Sequence, residues 1–354
     1  MTSQNVLESY VRAKGTLHTV SNLKQLARSL GLSITTVSRA LDGYSDVAPA
    51  TRERVQAAAQ ATNYRPNSAA RSLRRRKAES VAVTLPLEPG RFGPPLFLNM
   101  LGACSQRLAE EGLDLMLLPT TGRAAEMETY RRLMDGRRAD AVIVVRTRLE
   151  DERVAFLKER GIPFVTHGRT GRPEEHAFID GDGEAGFHEA TRLLASLGHR
   201  RIAHIAAPQD LTFAYLRRKG WLTGLEEAGL SERLETVAQP TESGGYEAAQ
   251  SLLQQSAPPT ALLCATDSMA IGALSALKER GFAAGRDIAV IGHDNLPSAT
   301  FTDPPLSTME IAAPDVGRQL AEMLIARLGG QNGRELQTIL PVRQVPRMTH
   351  GPAN

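Results

Sequence analysis

The sequence predicts two fold classes in one chain: a small all-α headpiece with a helix-turn-helix and a hinge helix, then a large α/β core of parallel sheet. Three observations predict this. Two short helical segments with apolar faces meet at Gly31. The charge changes sign near Ala78: up to there 13 Lys/Arg face 4 Asp/Glu, a surplus of 9, while the whole 354-residue chain carries only +3, leaving −6 for the remainder. Beyond Ala78, short β-branched runs alternate with amphipathic stretches, the pattern of parallel strands joined by crossover helices. A chain of this length suffices for about two or three domains.

The first 17 residues, MTSQNVLESYVRAKGTL, lack a signal-peptide core and read as a basic arm or frayed helix. The first helix of the headpiece presents Leu23, Leu26, Ala27 and Leu30 at helical spacing. Gly31 ends it where a tight turn needs positive φ, and Ser33 is placed to cap the next helix. That second helix, Ile34 to Leu41, is expected to bury Val37, Ala40 and Leu41 and to turn Ile34, Thr35, Ser38 and Arg39 outward. With Ser33 and Thr36 beside them, these residues form the surface that a recognition helix brings to a major groove. An ordinary helical hairpin has the same spacing. The basic surplus favours the nucleic-acid reading, since it supplies phosphate contacts without making the whole chain cationic.

A third helix is expected from about Pro49 to Ala61, with Val55, Ala58 and Ala59 inward and Pro49 in the first turn, where a missing N–H costs nothing. The hinge, residues 65–77, follows: Pro66 biases Arg65 towards extended backbone, and Asn67 is a good N-cap. A helix of under about 12 residues is marginal in water, so the hinge helix is expected to be largely disordered off DNA. In the core, SVAVTLPL, LDLMLLP, DAVIVV, IPFVTHG, HAFIDG, RIAHIAA, TALLCATD and DIAVIGHD read as strands. Eight strands exceed what one compact doubly wound unit usually takes.

Other classes lose support. Cys104 and Cys264 sit in apolar surroundings without partner spacing, which suggests buried thiols and no disulfide or metal site. No apolar run approaches the roughly 18 residues that span a membrane, so a cytoplasmic, nucleoid-associated protein is expected. No GxxxxGK[ST], GxSxG or metal-ligand spacing occurs, and neither an enzyme nor a cofactor is expected.

The runs LARSLGLSITTVSRALDG and VAPATRERVQAAAQATNYRPNSAARSLRRRK resemble the headpiece of the LacI/GalR family of bacterial regulators, and the remainder resembles that family's sugar-binding core. The likeness covers nearly all of the chain except the first 17 or so residues, a stretch longer than the family usually carries. It implies a DNA-binding headpiece at 18–64, the hinge at 65–77 and a periplasmic-binding-protein-like core at 78–350. The core would form two lobes, about 78–181 with 311–340 and about 182–310 with 341–350, crossing near Gly181, Thr308–Ala312 and Leu340–Pro341. Where the family usually has a capping Ser, this chain has Ala48, which predicts a helix start weaker by about 1 kcal/mol.

By the same resemblance, the hinge helix folds on DNA against its twin and wedges Leu73 into the minor groove, with Asn67, Ala70 and Arg74 as further contacts. Wedges of this kind unstack a base step. Arg71, Arg75, Arg76 and Lys77 would meet phosphates, each adding roughly 0.9 to the salt slope. A basic linker, with Leu73 packed on the core, is the structural alternative.

The expected ligand site lies at strand ends facing the cleft between the lobes. Its candidates are Phe97, His167, Arg169, Arg217, Thr266 and Asp294. Arg217 matches an arginine that grips a sugar hydroxyl or an acidic group, and Asp294 matches a strand-end carboxylate suited to vicinal hydroxyls. Structural alternatives stand open: Arg217 paired simply with Asp294, His167 and Phe97 as core, Trp221 as helix packing, Asp267 as a helix cap.

This chain departs from many family members at Gly168, where they carry Asp, at Pro240, where some have an aromatic, and at Ile311, where some have a polar contact. The HGR segment is similar to regulators of α-glucoside or related oligosaccharide uptake. The expected function is a homodimeric repressor on a near-palindromic operator, released by a small sugar. The alternatives are a purine- or nucleoside-responsive co-repressed regulator and a sugar-binding transport protein; the basic headpiece and missing export signal disfavour the latter.

Overall fold

The computed structural model describes residues 22–64, 78–86, 95–311 and 313–353. The chain divides into two compact units, 1–78 and 79–354. Residues 1–17 lie outside the described residues, as does the hinge with Asn67, Ala70, Leu73 and Arg74.

In the first unit, α1 (Leu23–Leu30) starts where the Asn22 side chain accepts the Gln25 N–H at 3.0 Å. It stops at Gly31, whose φ of 66° is the left-handed conformation that a residue without Cβ adopts freely. The N-cap of α2 (Ile34–Leu41) is Ser33, whose hydroxyl accepts the Thr36 N–H at 3.0 Å. α3 (Pro49–Ala61) begins with proline in its first turn, and Ala48 supplies no side-chain cap. The three helices bury Leu26, Val37, Ala40, Val55 and Ala58, while Leu41 is only half-buried. Arg54 donates to the Leu30 carbonyl at 2.6 Å and ties α3 to the end of α1.

The second unit contains β1 (Ser80–Pro86), α4 (Pro95–Glu110), β2 (Asp114–Thr120), α5 (Arg123–Asp135), β3 (Ala141–Val144), α6 (Glu152–Glu159), β4 (Phe164–His167) and β5 (Phe178–Gly181). It continues with α7 (Gly183–Ser196), β6 (Ile202–Ala206), α8 (Thr212–Glu227), β7 (Glu235–Val237), α9 (Glu242–Leu253), β8 (Ala261–Cys264), α10 (Asp267–Glu279) and β9 (Ala289–Ile291). The last elements are β10 (Thr308–Glu310), α11 (Ala313–Leu328), β11 (Gln337–Leu340) and β12 (Arg343–Val345).

Two parallel sheets result. One has the order β11-β5-β4-β3-β1-β2 and the other β7-β6-β8-β9, while β10 and β12 pair antiparallel. The chain leaves the first sheet after Gly181, returns through β10 and α11 to β11, and leaves again through β12. Each sheet carries its own apolar core. Val81, Ile143, Val165, Leu320 and Leu324 lie in the first, and Leu262, Met269, Leu277 and Val290 in the second. Central strands such as β3 and β8 are buried along their whole length, as sheets covered on both faces require.

Candidate functional site

The exposed face of α2 carries Ile34, 46% exposed, with Thr35 and Arg39, while Ser33 and Thr36 face each other at its start with their hydroxyls 2.8 Å apart. Ser38 is a correction. It is 6% exposed and its hydroxyl donates to Asp42 Oδ2 at 3.4 Å, one turn along on the buried side. A small hydroxyl with an i+4 acceptor can turn inward where a longer polar side chain cannot. Arg39 is held from the loop after α2: its Nε donates to Asp46 Oδ1 at 3.2 Å, its Nη2 pairs with Asp46 Oδ2, and its guanidinium lies 4.8 Å from the Tyr44 ring centre.

In the core, the carboxyl ends of the strands bring two charged groups together. From the first sheet come His167 at the end of β4, Arg169 just beyond it and Asp180 in β5. Asp180 Oδ2 accepts both the Arg169 N–H, at 3.2 Å, and Nε–H, at 2.9 Å. From the second sheet come Arg217 in the second turn of α8, Thr266 before α10 and Asp294 after β9. Arg217 Nη2 lies 3.7 Å from Asp294 Oδ1, and its Nη1 donates to the Ala265 carbonyl. Arg217 also packs beside the crossing segment: a Cβ added to Gly183 would stand 3.2 Å from Arg217 Cγ.

The electrostatics bind these groups into one site. Burial lowers the Arg217 pKa, and the carboxylates of Asp294 and Asp180, one from each sheet, act against it. Burial also holds His167 and His293 below the ordinary imidazole range, so both rings are neutral at pH 7. His293 Nδ1 then donates to Asp294 Oδ1 at 2.9 Å. Three buried nitrogens here have no hydrogen-bond partner: Arg169 Nη2, Arg217 Nε and His293 Nε2. A buried polar atom left unpaired costs free energy, which a ligand offering complementary groups recovers.

Phe97 lies in α4, half-buried on the first lobe's core with its ring 6.5 Å from that of His167. Phe213 lies under Arg217 at 4.8 Å. Thr266 accepts the Met269 N–H at 3.3 Å, so Thr266 caps α10, not the adjacent Asp267. Asp267 is buried; it accepts the Leu296 N–H at 2.7 Å and the Thr308 hydroxyl at 2.5 Å. Trp221 is core, with its indole N–H 3.3 Å from the Ile202 carbonyl. Gly168 has φ 104°, and a Cβ there would stand 2.5 Å from Thr147 Oγ1. A side chain there would be strained and would displace the Thr147 hydroxyl, which suits glycine at this position. Ile311 packs against Gly181.

Sequence reading missed Asp180 and His293, although both stand at strand ends beside residues it did single out. It also missed a clasp between the loops after β3 and β6. Leu149 N donates to the Asp210 carbonyl at 3.1 Å, Thr212 N donates to the Thr147 carbonyl at 3.0 Å, and Asp210 pairs with Arg123. Behind the clasp lies a buried charge cluster: Arg153 pairs with Glu126 and with Asp151, both at 2.7 Å, and the Thr84 hydroxyl donates to Glu126 at 2.8 Å. Among the described residues no helix is long and apolar enough to cross a membrane, and no group of His, Cys, Asp or Glu could hold a metal ion.

Comparison with known proteins gives this arrangement a context. Residues 22–67 match the family model described as bacterial regulatory proteins, lacI family, and residues 191–350 match a periplasmic binding protein-like domain. The chain is 39% identical over 339 residues to the HTH-type transcriptional regulator AglR of Rhizobium meliloti (strain 1021), covering 94% of this chain and 95% of AglR. Among solved structures it is similar to the complex of the transcriptional regulator CelR with cellobiose, with 28% identity, a TM-score of 0.72 and coverage of 93% and 99%. It is also similar to the Lac repressor dimer bound to operator and the anti-inducer ONPF, with 26% identity, a TM-score of 0.81 and coverage of 93% and 99%.

Proposed function

The chain belongs to the LacI family of bacterial regulatory proteins and is a DNA-binding transcription regulator, and from that premise we propose that it represses carbohydrate uptake or catabolism genes until a small sugar releases it. The observation that carries this reading is the pair of arginine–carboxylate units, Arg169–Asp180 and Arg217–Asp294, which stand at strand ends of two sheets with both carboxylates acting on Arg217. A sugar offers vicinal hydroxyls, each donor and acceptor at once, and adjacent guanidinium and carboxylate groups answer both functions. Phe97 and Phe213 give the apolar faces of the ring something to lie against. CelR, which shares this fold, is a complex with cellobiose, so a disaccharide is the size class proposed.

On DNA, Ile34, Thr35, Thr36 and Arg39 read a half-site, and two copies of the chain match a near-palindromic operator. The hinge, with Leu73 as wedge and Asn67, Ala70 and Arg74 beside it, clamps the centre. The protein works in the cytoplasm, where its operator is, and does no chemistry on its effector. A ligand drawing the lobes together changes the cost of ordering the hinge helices, and coupling of about 1–3 kcal/mol suffices to switch occupancy.

The test is fluorescence anisotropy of the full chain on labelled DNA from upstream of its own and neighbouring genes. The panel contains glucosides and galactosides from one to three rings, with purine bases and nucleosides. Salt-sensitive binding released by a sugar is the expected result, with Arg217→Met binding DNA as before and no longer responding. Binding that needs an added purine or nucleoside would replace this reading with that of a co-repressed regulator.

A further inference from the structure

We propose that Asp46 and Tyr44 are positioning residues that aim the Arg39 guanidinium at a guanine, so that base preference at one operator position depends on the loop after α2 as well as on the helix. This rests on the reading of α2 as the recognition helix.

The argument begins with which nitrogens are used. A guanidinium has five N–H donors in a planar array. Asp46 engages Arg39 from the side, through Nε and Nη2. A side-on pair takes one hydrogen from each of these nitrogens and leaves the far edge, Nη1 with the second Nη2 hydrogen, available. That far edge is the two-pronged donor that matches the O6 and N7 acceptors of guanine in the major groove. Had Asp46 met Arg39 end-on, through Nη1 and Nη2, the reading edge would be blocked. Tyr44 adds the second constraint, because a ring centre 4.8 Å from the guanidinium carbon restricts the tilt of the plane.

The loop that supplies both residues is itself fixed. Arg52 in α3 donates through Nη2 to the Tyr44 carbonyl at 2.8 Å and to the Val47 carbonyl at 3.2 Å, and Val47 is buried in the headpiece core. Tyr44 N donates to the Arg39 carbonyl at 3.0 Å. The guanidinium is therefore oriented by a short chain of contacts that begins on a different helix. Orientation before binding removes part of the side-chain ordering cost that a free arginine meets when it docks.

The experiment uses the full chain and a double-stranded DNA library with two randomised half-sites, and reads the preference at each position by sequencing bound molecules. Arg39→Ala should flatten a guanine preference of about 5- to 150-fold at one position. Asp46→Ala should lower the preference at that same position about 2- to 5-fold, the scale of an exposed ion pair, and leave the ratios elsewhere unchanged. Tyr44→Ala should act at the same position, while Tyr44→Phe, which keeps the ring, should retain the wild-type ratio.

Removing a carboxylate near phosphates raises affinity for every sequence, and that uniform gain cancels in the ratios. An Asp46→Ala protein with an unchanged guanine ratio at the Arg39 position would overturn the proposal and leave Asp46 as a general repulsive charge. A change confined to a different position would overturn it too, making Asp46 a direct reader of bases. If Arg39→Ala flattens no position, the assignment of the recognition helix fails instead.

Discussion

In the headpiece, Arg39 meets Asp46 with 44% and 55% of the two side chains exposed; in the core, Arg153 meets Glu126 and Asp151 with 1%, 3% and 0% exposed. The same chemistry serves opposite ends in these two places. An exposed pair contributes little to stability because water solvates its members nearly as well apart, so Asp46 can orient Arg39 without the fold depending on it. A buried cluster has already lost that water. Each member depends on the others, and removing one leaves charge in a low-dielectric interior. Charges placed to meet a partner lie where water and that partner can reach them, and charges that hold loops in place lie where neither can.

Arg153→Ala is the sharpest way to break this contrast. It should destabilise the core by about 3–5 kcal/mol in denaturant unfolding, because Glu126 and Asp151 both lose their nearest cation and keep only the more distant Arg148. Asp46→Ala should cost the headpiece under about 1 kcal/mol in the same assay. Equal losses would show that burial is not what separates the two pairs.

A second perturbation asks whether the two units fail separately. Leu26 is fully buried in the headpiece core, and Leu26→Ala should cost about 2–5 kcal/mol. A unit this small has little stability to lose. The expected outcome is loss of DNA binding with the main unfolding transition and effector binding intact. A single transition that shifts as a whole would mean that the units unfold together.

A further perturbation concerns pH within the core itself. Burial, with Asp294 nearby, raises the Asp267 carboxyl from 3.8 to about 7. Between about pH 4 and pH 7 the unfolded chain releases this proton and the folded chain retains it, so this group's contribution to stability falls as pH rises and is level above that window. Buried His204, lowered to about 4, works in the opposite direction over part of the same range. The difference between wild type and Asp267→Asn across pH 4–8 is therefore the quantity to measure. A difference that does not change with pH would mean that Asp267 is ionised throughout.

The contrast also explains what the sequence could reveal. α1 to α3 follow from apolar spacing, a glycine, a capping serine and a proline in a first turn, while the Asn22 cap of α1 was not read. The eight strands read from apolar runs are present. β7, β10, β11 and β12 were not read: they are as short as β3 and β8, and β7, β11 and β12 lack the continuous burial that gives those strands an apolar run. Ser38 was misplaced because a helical wheel gives direction but not the acceptor that Asp42 supplies inside. Arg169, Arg217 and Asp294 were legible as charged residues at strand ends. Asp180 was not, since its part depends on a hydrogen bond to a residue 11 positions earlier that only the sheet brings into reach. The clasp between 147–149 and 210–212 joins segments about sixty residues apart, and no local pattern announces it.

Gly168 sets what the turn after β4 can carry. Its φ of 104° is a conformation that a residue with a Cβ rarely adopts, and a Cβ built there would stand 2.5 Å from Thr147 Oγ1. A side chain at 168 therefore meets two separate costs, one in its own backbone and one in displacing a neighbouring hydroxyl. Shortening residue 147 removes only the second, so the turn remains a place where glycine is favoured even after its neighbour has changed.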